Sequence, residues 1–201
     1  MEKRADTDHD IHDLIARRWS ARVFSGASVT PAQLGSLLEA ARWAASCFNE
    51  QPWRFVVALR DDADAFERLL GCLNERNRAW ASQAGALAIS VAATTFAHNQ
   101  KPNRYAWHDV GQAAAQLALQ ATALGLAAHQ MAGFDAAKTR EVLGIPEGFE
   151  PVAAIAIGAP GALEGVPDDV RAREEAPRVR KALSEVAFAG AWGAPLPLTP
   201  R

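Results

Sequence analysis

The sequence predicts a single domain that contains both helices and strands. Its 201 residues, of which 49% are hydrophobic, suffice to bury one large core. Short apolar and β-branched segments alternate along the chain with longer segments of helical periodicity. The expected order is two helices, then strand, helix, strand, helix, strand, helix and strand, followed by a proline-rich tail.

Two helices are expected before the first strand. The first has one apolar face and Asp10 as its N-cap, and it should end near Arg17 or Arg18. The second begins with Thr30 as N-cap and a proline at the first helical position, and Gln33 completes a capping box. The segment between the two helices is therefore a connector.

The remaining elements follow from apolar segments and their terminators. They are, in order, a strand at 53–59, a helix at about 63–73, a central strand at 86–94, a polar loop at 94–104, an Ala-rich buried helix ended by Gly125, a short strand and turn at 127–134, a helix capped by Asp135 that runs to Leu143, and a last strand at 151–160. From residue 162 we expect an extended tail with one short helix near 181–188. We divide the chain into a loosely ordered N-terminus (1–10), a core (11–160) and a tail (161–201) that completes the domain and wraps around another subunit.

Charge and cysteine content narrow the possible functions. The 21 Lys and Arg are balanced by 23 Asp and Glu, so no overall positive field attracts nucleic acid or an anionic membrane. Cys47 and Cys72 lack the spacing of a disulfide scaffold or a metal-binding pair, which favours a reducing compartment. The polar segment 1–13 lacks the apolar core expected of a signal peptide, and no apolar segment has membrane-spanning length. We expect a cytoplasmic protein that binds neither nucleic acid nor membrane.

Two arginine-containing segments are candidates for binding an anion. Residues 16–24 (ARRWSARVF) place three arginines beside Trp19 and Ser20, and guanidinium and hydroxyl groups suit a phosphate dianion. Arg178 and Arg180 point to the same side if the tail is extended. Taken alone, the first set is better explained as a solvated helix end, because basic residues commonly end helices, and the second set can be a solvated tail.

Two further segments are candidates for contact with a flat ligand. In NEQPW, the amides of Asn49 and Gln51 can pair with the edge of a heterocycle, or they can form an ordinary turn before a strand. In QMAGFD, Gly133 lets a ligand approach the backbone closely, or it serves a strand-to-helix turn. The sequence has no Rossmann, P-loop, GxSxG or HExxH pattern. No catalytic side chain and no metal ligand is predicted.

In this order the motifs resemble the nitroreductase family of FMN-dependent oxidoreductases over about residues 11–190. The resemblance implies an α+β fold in which helices flank a central, mainly antiparallel sheet. It also implies an intertwined homodimer with an extended C-terminal tail and FMN at the subunit interface. The expected cofactor-binding residues are Arg18, Trp19, Ser20, Arg22, Ala45, Ser46, Cys47, Asn49, Asn77, Ala132, Gly133, Arg178 and Arg180.

The resemblance also implies how these residues share the cofactor. The segments around Arg18 and Arg180 grip the phosphate, and Arg22 can supply positive charge near the flavin N1 and O2 atoms. Residues 45–49 reach a flavin that is held mainly by the other subunit, with Ala45 and Cys47 standing where the family pattern has Pro and Ser.

The resemblance places two further positions against the isoalloxazine ring of the flavin. Asn77, with Asn74 as the alternative, faces the pyrimidine end of the ring. The backbone N–H at 132–133 faces N5, and Ala132 replaces a Glu found in many relatives.

The implied reaction is carried by the cofactor. Flavin N5 takes hydride from NADH or NADPH and passes it to a nitroaromatic, quinone or similar electron-poor small molecule, in a ping-pong mechanism. Two alternatives stay open. One is a specialised flavin enzyme of the same fold, such as a dehalogenase or a flavin-fragmenting enzyme; the other is a flavin-binding dimer without catalysis.

Overall fold

The computed structural model describes residues 3–198, and the predicted N-terminus (1–10) and tail (161–201) extend beyond it at residues 1–2 and 199–201. Within the described residues, one antiparallel sheet has the strand order β1-β2-β4-β3. The strands are β1 (Trp53–Leu59), β2 (Ala86–Ala93), β3 (Ala127–Met131) and β4 (Phe149–Gly158). The predicted α+β class and antiparallel sheet are confirmed.

Seven α-helices accompany the sheet in the described part of the chain. They are α1 (Asp13–Arg17), α2 (Pro31–Arg42), α3 (Ala63–Leu70), α4 (Glu75–Ala81), α5 (Ala106–Ala123), α6 (Ala136–Leu143) and α7 (Asp168–Glu175). Short 3-10 helices occupy Cys47–Asn49 and Leu183–Glu185. Among residues 3–198, no helix is both long and apolar enough to cross a membrane.

The core lies on both faces of the sheet. On one face, α2 and α5 pack against Ile155 and Ile157 of β4, and the Ala-rich face of α5 permits this close approach. On the other face, Leu87 and Ile89 of β2 pack with the apolar sides of α3 and α6. Since successive residues of a strand point to opposite faces, a strand that is apolar throughout is buried on both. The prediction that β2 is central is confirmed.

Capping residues set most helix ends as predicted. Thr30 Oγ1 accepts from Gln33 N at 3.2 Å and Gln33 Oε1 accepts from Thr30 N at 3.0 Å, which is the expected capping box. Asp135 caps α6, and Gly144 ends that helix in the left-handed conformation at φ 62°. The expected N-cap at Asp10 is wrong: α1 begins at Asp13, because His12 Nδ1 accepts from Leu14 N.

Two helices were not predicted. The seven residues of α4 are mostly polar and show no apolar stripe, and the helix forms with Asn74 as its N-cap. The tail was expected to be extended from residue 162 except near 181–188, and this is wrong because it contains α7. Acidic residues in the first turn of α7 favour it through the helix dipole. Near 181–188 there is only the single 3-10 turn.

Candidate functional site

The connector, residues 18–24, is the first part of the segment between α1 and α2, and its only regular backbone pairing is an isolated β-bridge between Phe24 and Pro160. Its buried backbone groups therefore need partners from elsewhere. His129 Nδ1 on β3 donates to Ala21 O at 2.8 Å. Glu174 Oε1 on α7 accepts from the backbone N–H of Arg22 and of Val23, the latter at 2.8 Å. Two side chains that are distant in sequence thus hold the connector in place.

A cavity of about 240 Å³ lies between the connector and the tail; we call it the arginine cavity. Its lining residues are Lys3, Arg18, Trp19, Ser20, Arg22, Arg173, Ala176, Pro177, Arg178 and Arg180. The two arginine segments singled out from the sequence therefore meet in one place. Lys3 and Arg173 were missed, because neither belongs to a recognisable motif.

Hydrogen bonds tie three parts of the chain together at this cavity. Arg178 Nη1 donates to Lys3 O at 2.6 Å and to Ala16 O at 2.7 Å. Lys3 Nζ donates to the carbonyls of Glu174 and Ala176 and lies 5.1 Å from the Trp19 ring centroid. The N-terminal residues, the connector and the tail form one wall, and Arg178 contributes to that wall as well as to the cavity.

The cavity concentrates positive charge. Burial, and then the charges of Arg178 and Arg180, lower the pKa of Arg18. Burial and then Arg180 lower the pKa of Arg178. The hydrogen bonds of Arg18 and Arg180 go to neutral oxygens, the Ser20 hydroxyl at 3.5 Å and the Val179 carbonyl at 2.8 Å. A dianion with several acceptor oxygens, such as a phosphate monoester, matches this donor set.

A second predicted contact region lies beyond the end of β3. Asn74 Oδ1 accepts from Asn77 N at 2.9 Å and caps α4, while Asn77 Nδ2 donates to Gly133 O at 3.0 Å. A Cβ atom at Gly133 would overlap the side-chain nitrogens of both asparagines. The contact with α4 therefore requires glycine at 133. Ala132, beside it, is exposed.

Residues 45–49 surround the first turn of α5. Cys47 N donates to Asp109 Oδ2 at 3.0 Å, and Ser46 Oγ accepts from Gln51 N at 3.0 Å. Ala45 and Asn49 are exposed, whereas Ser46 and Cys47 are half-buried. Non-glycine residues with positive φ, which are uncommon, occur here at Phe48 (54°), Asn49 (56°) and Gln51 (53°). The backbone of this surface segment is therefore strained.

The arginine cavity and residues 45–49 lie near opposite ends of α5. Trp19, which lines the arginine cavity, also lines a groove with Thr122 and Gly125 at the C-terminal end of α5. Asp109, which holds Cys47, is in its first turn. At 1.5 Å of rise per residue, these ends are separated by about 20 Å. Within one chain the structure brings the arginine segments together but leaves residues 45–49 apart from them.

Two buried polar residues at the connector were also missed. Burial lowers the pKa of His129, the neighbouring Arg22 and Arg18 lower it further, and hydrogen bonds to the connector backbone oppose this shift. The Trp80 ring packs against the imidazole at 4.6 Å between centroids. A lone histidine in the apolar segment AAHQM was a visible signal. Glu174 showed no such signal in the sequence, because it is followed by a second glutamate and adjacent glutamates are typical of a solvated surface.

Comparisons with known proteins agree with this fold. The model of the nitroreductase family matches residues 15–159. The "Uncharacterized 15.4 kDa protein in ask 5′region" of Mycolicibacterium smegmatis is 38% identical over 149 residues, which cover 71% of this chain and 99% of that protein. The "Putative NADH dehydrogenase/NAD(P)H nitroreductase" of Streptomyces griseus is 30% identical over 175 residues, covering 77% and 87%.

A solved structure is similar over nearly the whole chain. It is described as an oxidoreductase containing FMN, shares 35% sequence identity and has a TM-score of 0.89. The alignment covers 94% of this chain and 96% of that one. The family model covers more than half of the chain and the Streptomyces griseus relative is 30% identical over 77% of it, so the chain belongs to the nitroreductase family.

Proposed function

We propose that this protein is an FMN-dependent oxidoreductase that uses NAD(P)H to reduce nitroaromatics, quinones or similar electron-poor small molecules. The arginine cavity is the observation that carries the proposal, because it gathers guanidinium groups of which, among the described residues, only Arg173 has a carboxylate partner, Asp169 at 3.8 Å. Family membership supplies the flavin chemistry, and the similar solved structure is described as containing FMN.

The donor set fits the FMN phosphate. Arg18, Arg22 and Arg180 line the cavity together with the Ser20 hydroxyl, so forked cationic donors and a neutral donor face one space. A phosphate monoester carries a charge of roughly −1.5 to −2 at pH 7. Its binding offsets the repulsion that lowers the pKa of Arg18. We assign these residues, with Trp19 and Arg178, to phosphate binding.

The isoalloxazine ring is assigned to the end of β3. His129 contacts the connector, and Ala132 follows three residues later, which is roughly 10 Å along a strand. Ala132 and Gly133 then offer backbone N–H groups to N5, and Asn77 is fixed beside them by its bond to Gly133 O. We assign Asn77 rather than Asn74 to the ring, because Asn74 already uses its side-chain oxygen to cap α4.

We further propose a homodimer in which each FMN contacts both subunits. Most of the length of α5, about 20 Å, separates residues 45–49 from the arginine cavity of their own chain, whereas the same segment of a second copy can contact the flavin whose phosphate lies in that cavity. The surface beside this segment exposes large apolar side chains: Trp43 is 72% exposed, Phe48 82% and Trp107 47%. Exposed aromatic residues grouped in this way are typical of a subunit interface.

Mixing two variants tests the shared site. Arg18→Ala damages the cavity half and Asn49→Ala the other half, so each homodimer should have little activity. A mixed dimer that is unfolded and refolded from both chains contains one site with both native halves, and activity should return. If both halves came from the same chain, every site in the mixture would carry a damaged residue and no activity would return.

FMN, when bound, transfers hydride at N5, first from NAD(P)H and then to the acceptor. The residues of the arginine cavity would hold the phosphate, and Asn77 with residues 132–133 would orient the ring. NAD(P)H and the acceptor would use the same site in turn, which gives ping-pong kinetics. The free thiols Cys47 and Cys72 fit our proposal that the enzyme works in the cytoplasm.

The decisive experiment follows the flavin absorbance. Purified protein should take up FMN, be bleached anaerobically by NADH or NADPH, and recover its colour with a quinone or nitroaromatic. Initial-rate plots should be parallel, and intersecting plots would refute the ping-pong mechanism.

A yellow protein that neither nucleotide bleaches would favour the non-catalytic dimer, and one unable to bind FMN would refute the proposal. A panel that includes a halogenated phenol distinguishes a dehalogenase.

A further inference from the structure

Glu174 is a fully buried acidic residue outside the predicted site. Its side chain belongs to α7, yet its Oε1 atom accepts hydrogen bonds from the backbone N–H of Arg22 and Val23 in the connector. Glu175, the next residue, has the same charge and is exposed. Glu174 and Glu175 therefore have the same side chain but differ in burial and in hydrogen bonds.

Burying Glu174 has an energetic cost that its hydrogen bonds must offset. Its second oxygen, Oε2, has no hydrogen-bond partner among the described residues. A buried polar atom without a partner is unfavourable and is rare in folded proteins. Hydrogen bonds from N–H groups to a carboxylate are stronger than those to a neutral oxygen. The carboxylate is thus committed to the connector backbone.

The position of these hydrogen bonds links them to the arginine cavity. Arg22 lines the cavity, and its own N–H is one of the two groups that Glu174 holds. From the same helix end, the Glu174 carbonyl accepts from Lys3 Nζ, which also lines the cavity. A carboxylate facing the cavity would repel an anion, whereas one bonded to connector N–H groups can orient cationic side chains without binding the anion itself.

We infer that Glu174 is a positioning residue for the cofactor phosphate: it fixes the connector backbone so that Arg18 and Arg22 face the arginine cavity. This inference rests on the proposed FMN function. It also gives α7 a role, because the helix brings the carboxylate from the tail to a connector about 150 residues earlier in the chain.

The test compares FMN with riboflavin, which has the same ring system but no phosphate. Glu174→Ala should raise the Kd for FMN about tenfold or more, as expected for the loss of charge-assisted hydrogen bonds. The Kd for riboflavin should change by less than about threefold, and Glu175→Ala should match wild type for both ligands. Glu174→Gln should show a smaller loss, because its amide oxygen can still accept from the two N–H groups.

A second measurement needs no cofactor. Trypsin should cleave the Glu174→Ala apoprotein faster than wild type after Arg18 or Arg22, because cleavage requires the connector to leave its fixed conformation. Glu175→Ala should be cleaved at the wild-type rate. If Glu174→Ala does not fold, Glu174→Gln takes its place in both measurements, with a smaller shift in the same direction.

The outcomes separate this inference from the proposed function. Wild-type protein that does not bind FMN refutes the proposed function, and with it the cofactor role of Glu174, even if trypsin shows a loosened connector. If wild type binds FMN, the inference is overturned by equal losses for FMN and riboflavin, by an unchanged FMN affinity, or by equal effects of the substitutions at 174 and 175.

Discussion

Substituting Arg18 and Arg180 together should separate cofactor affinity from stability. Both guanidiniums line the arginine cavity, and Arg180 lowers the pKa of Arg18 through its charge. A hydrogen bond to a charged group contributes about 1.5–3 kcal/mol. Taking the lower value for each arginine, since Arg180 is exposed, gives about 3 kcal/mol. The double alanine variant should therefore bind FMN at least about a hundredfold more weakly.

The apoprotein should respond quite differently to the same substitutions. The side chain of Arg180 is exposed, so its removal should change the free energy of unfolding by about 0.5 kcal/mol at most. Removing Arg180 also relieves the repulsion felt by Arg178, which remains in the double variant. The loss of the 3.5 Å contact between Arg18 and Ser20 costs at most about 1 kcal/mol. Cofactor affinity should fall far more than stability.

The assay measures flavin content after gel filtration, the Kd for FMN by fluorescence titration, and unfolding of the apoproteins in urea. Arg17→Ala is the matched control, because Arg17 pairs with Asp13 at 2.6 Å on the exposed side of α1. It should retain flavin like wild type. Equal flavin content in the double variant and wild type would refute the phosphate assignment, and a matching loss in Arg17→Ala would show that the effect is not specific to the cavity.

Three further outcomes are expected. Gly133→Ala should lower the free energy of unfolding by about 1–3 kcal/mol, since its Cβ overlaps the two asparagine side chains; urea unfolding checks this, and an unchanged midpoint would contradict it. Burial lowers the pKa of His129 below its usual 6.5, so below that pH the unfolded chain binds the proton more readily than the folded one. The free energy of unfolding should therefore fall between pH 7 and pH 5, and less steeply in His129→Gln; equal slopes would count against this. Thr30→Ala should lower the free energy of unfolding by about 1 kcal/mol through the loss of its cap while leaving flavin content unchanged, because Thr30 does not line the arginine cavity; a loss of flavin would contradict this.

The elements that were predictable have apolar periodicity or a local capping signal. The strand at 53–59, the buried strand β2 and the capping box at Thr30 each depend on residues that are close in sequence. By contrast, α4 and α7 are largely polar and derive their stability from their surroundings, so periodicity does not reveal them. Apolar periodicity and capping signals therefore predict the elements that are stabilised by residues close in sequence.

The residues of the candidate site divide in the same way, into those with a local sequence signal and those without one. The sequence singles out the arginines at 18, 22, 178 and 180, because guanidinium groups near a hydroxyl indicate anion binding. Their convergence depends on the path of the tail, which no local pattern describes. Glu174 and Lys3 reach the connector only through that path. The order of the motifs carried the family resemblance, and the structure adds the contacts that hold them.

The arginine cavity is energetically unfavourable without an anion, and this explains the polar contacts behind it. Like charges that help to lower the pKa of Arg18 and of Arg178 destabilise the folded chain, and an irregular connector contributes little stability of its own. Hydrogen bonds from His129 and to Glu174 hold that connector from two sides. A bound dianion would remove the repulsion and stabilise the fold by mass action. The buried carboxylate and imidazole therefore hold the connector in the apoprotein, and on our proposal this is the arrangement that binds the phosphate.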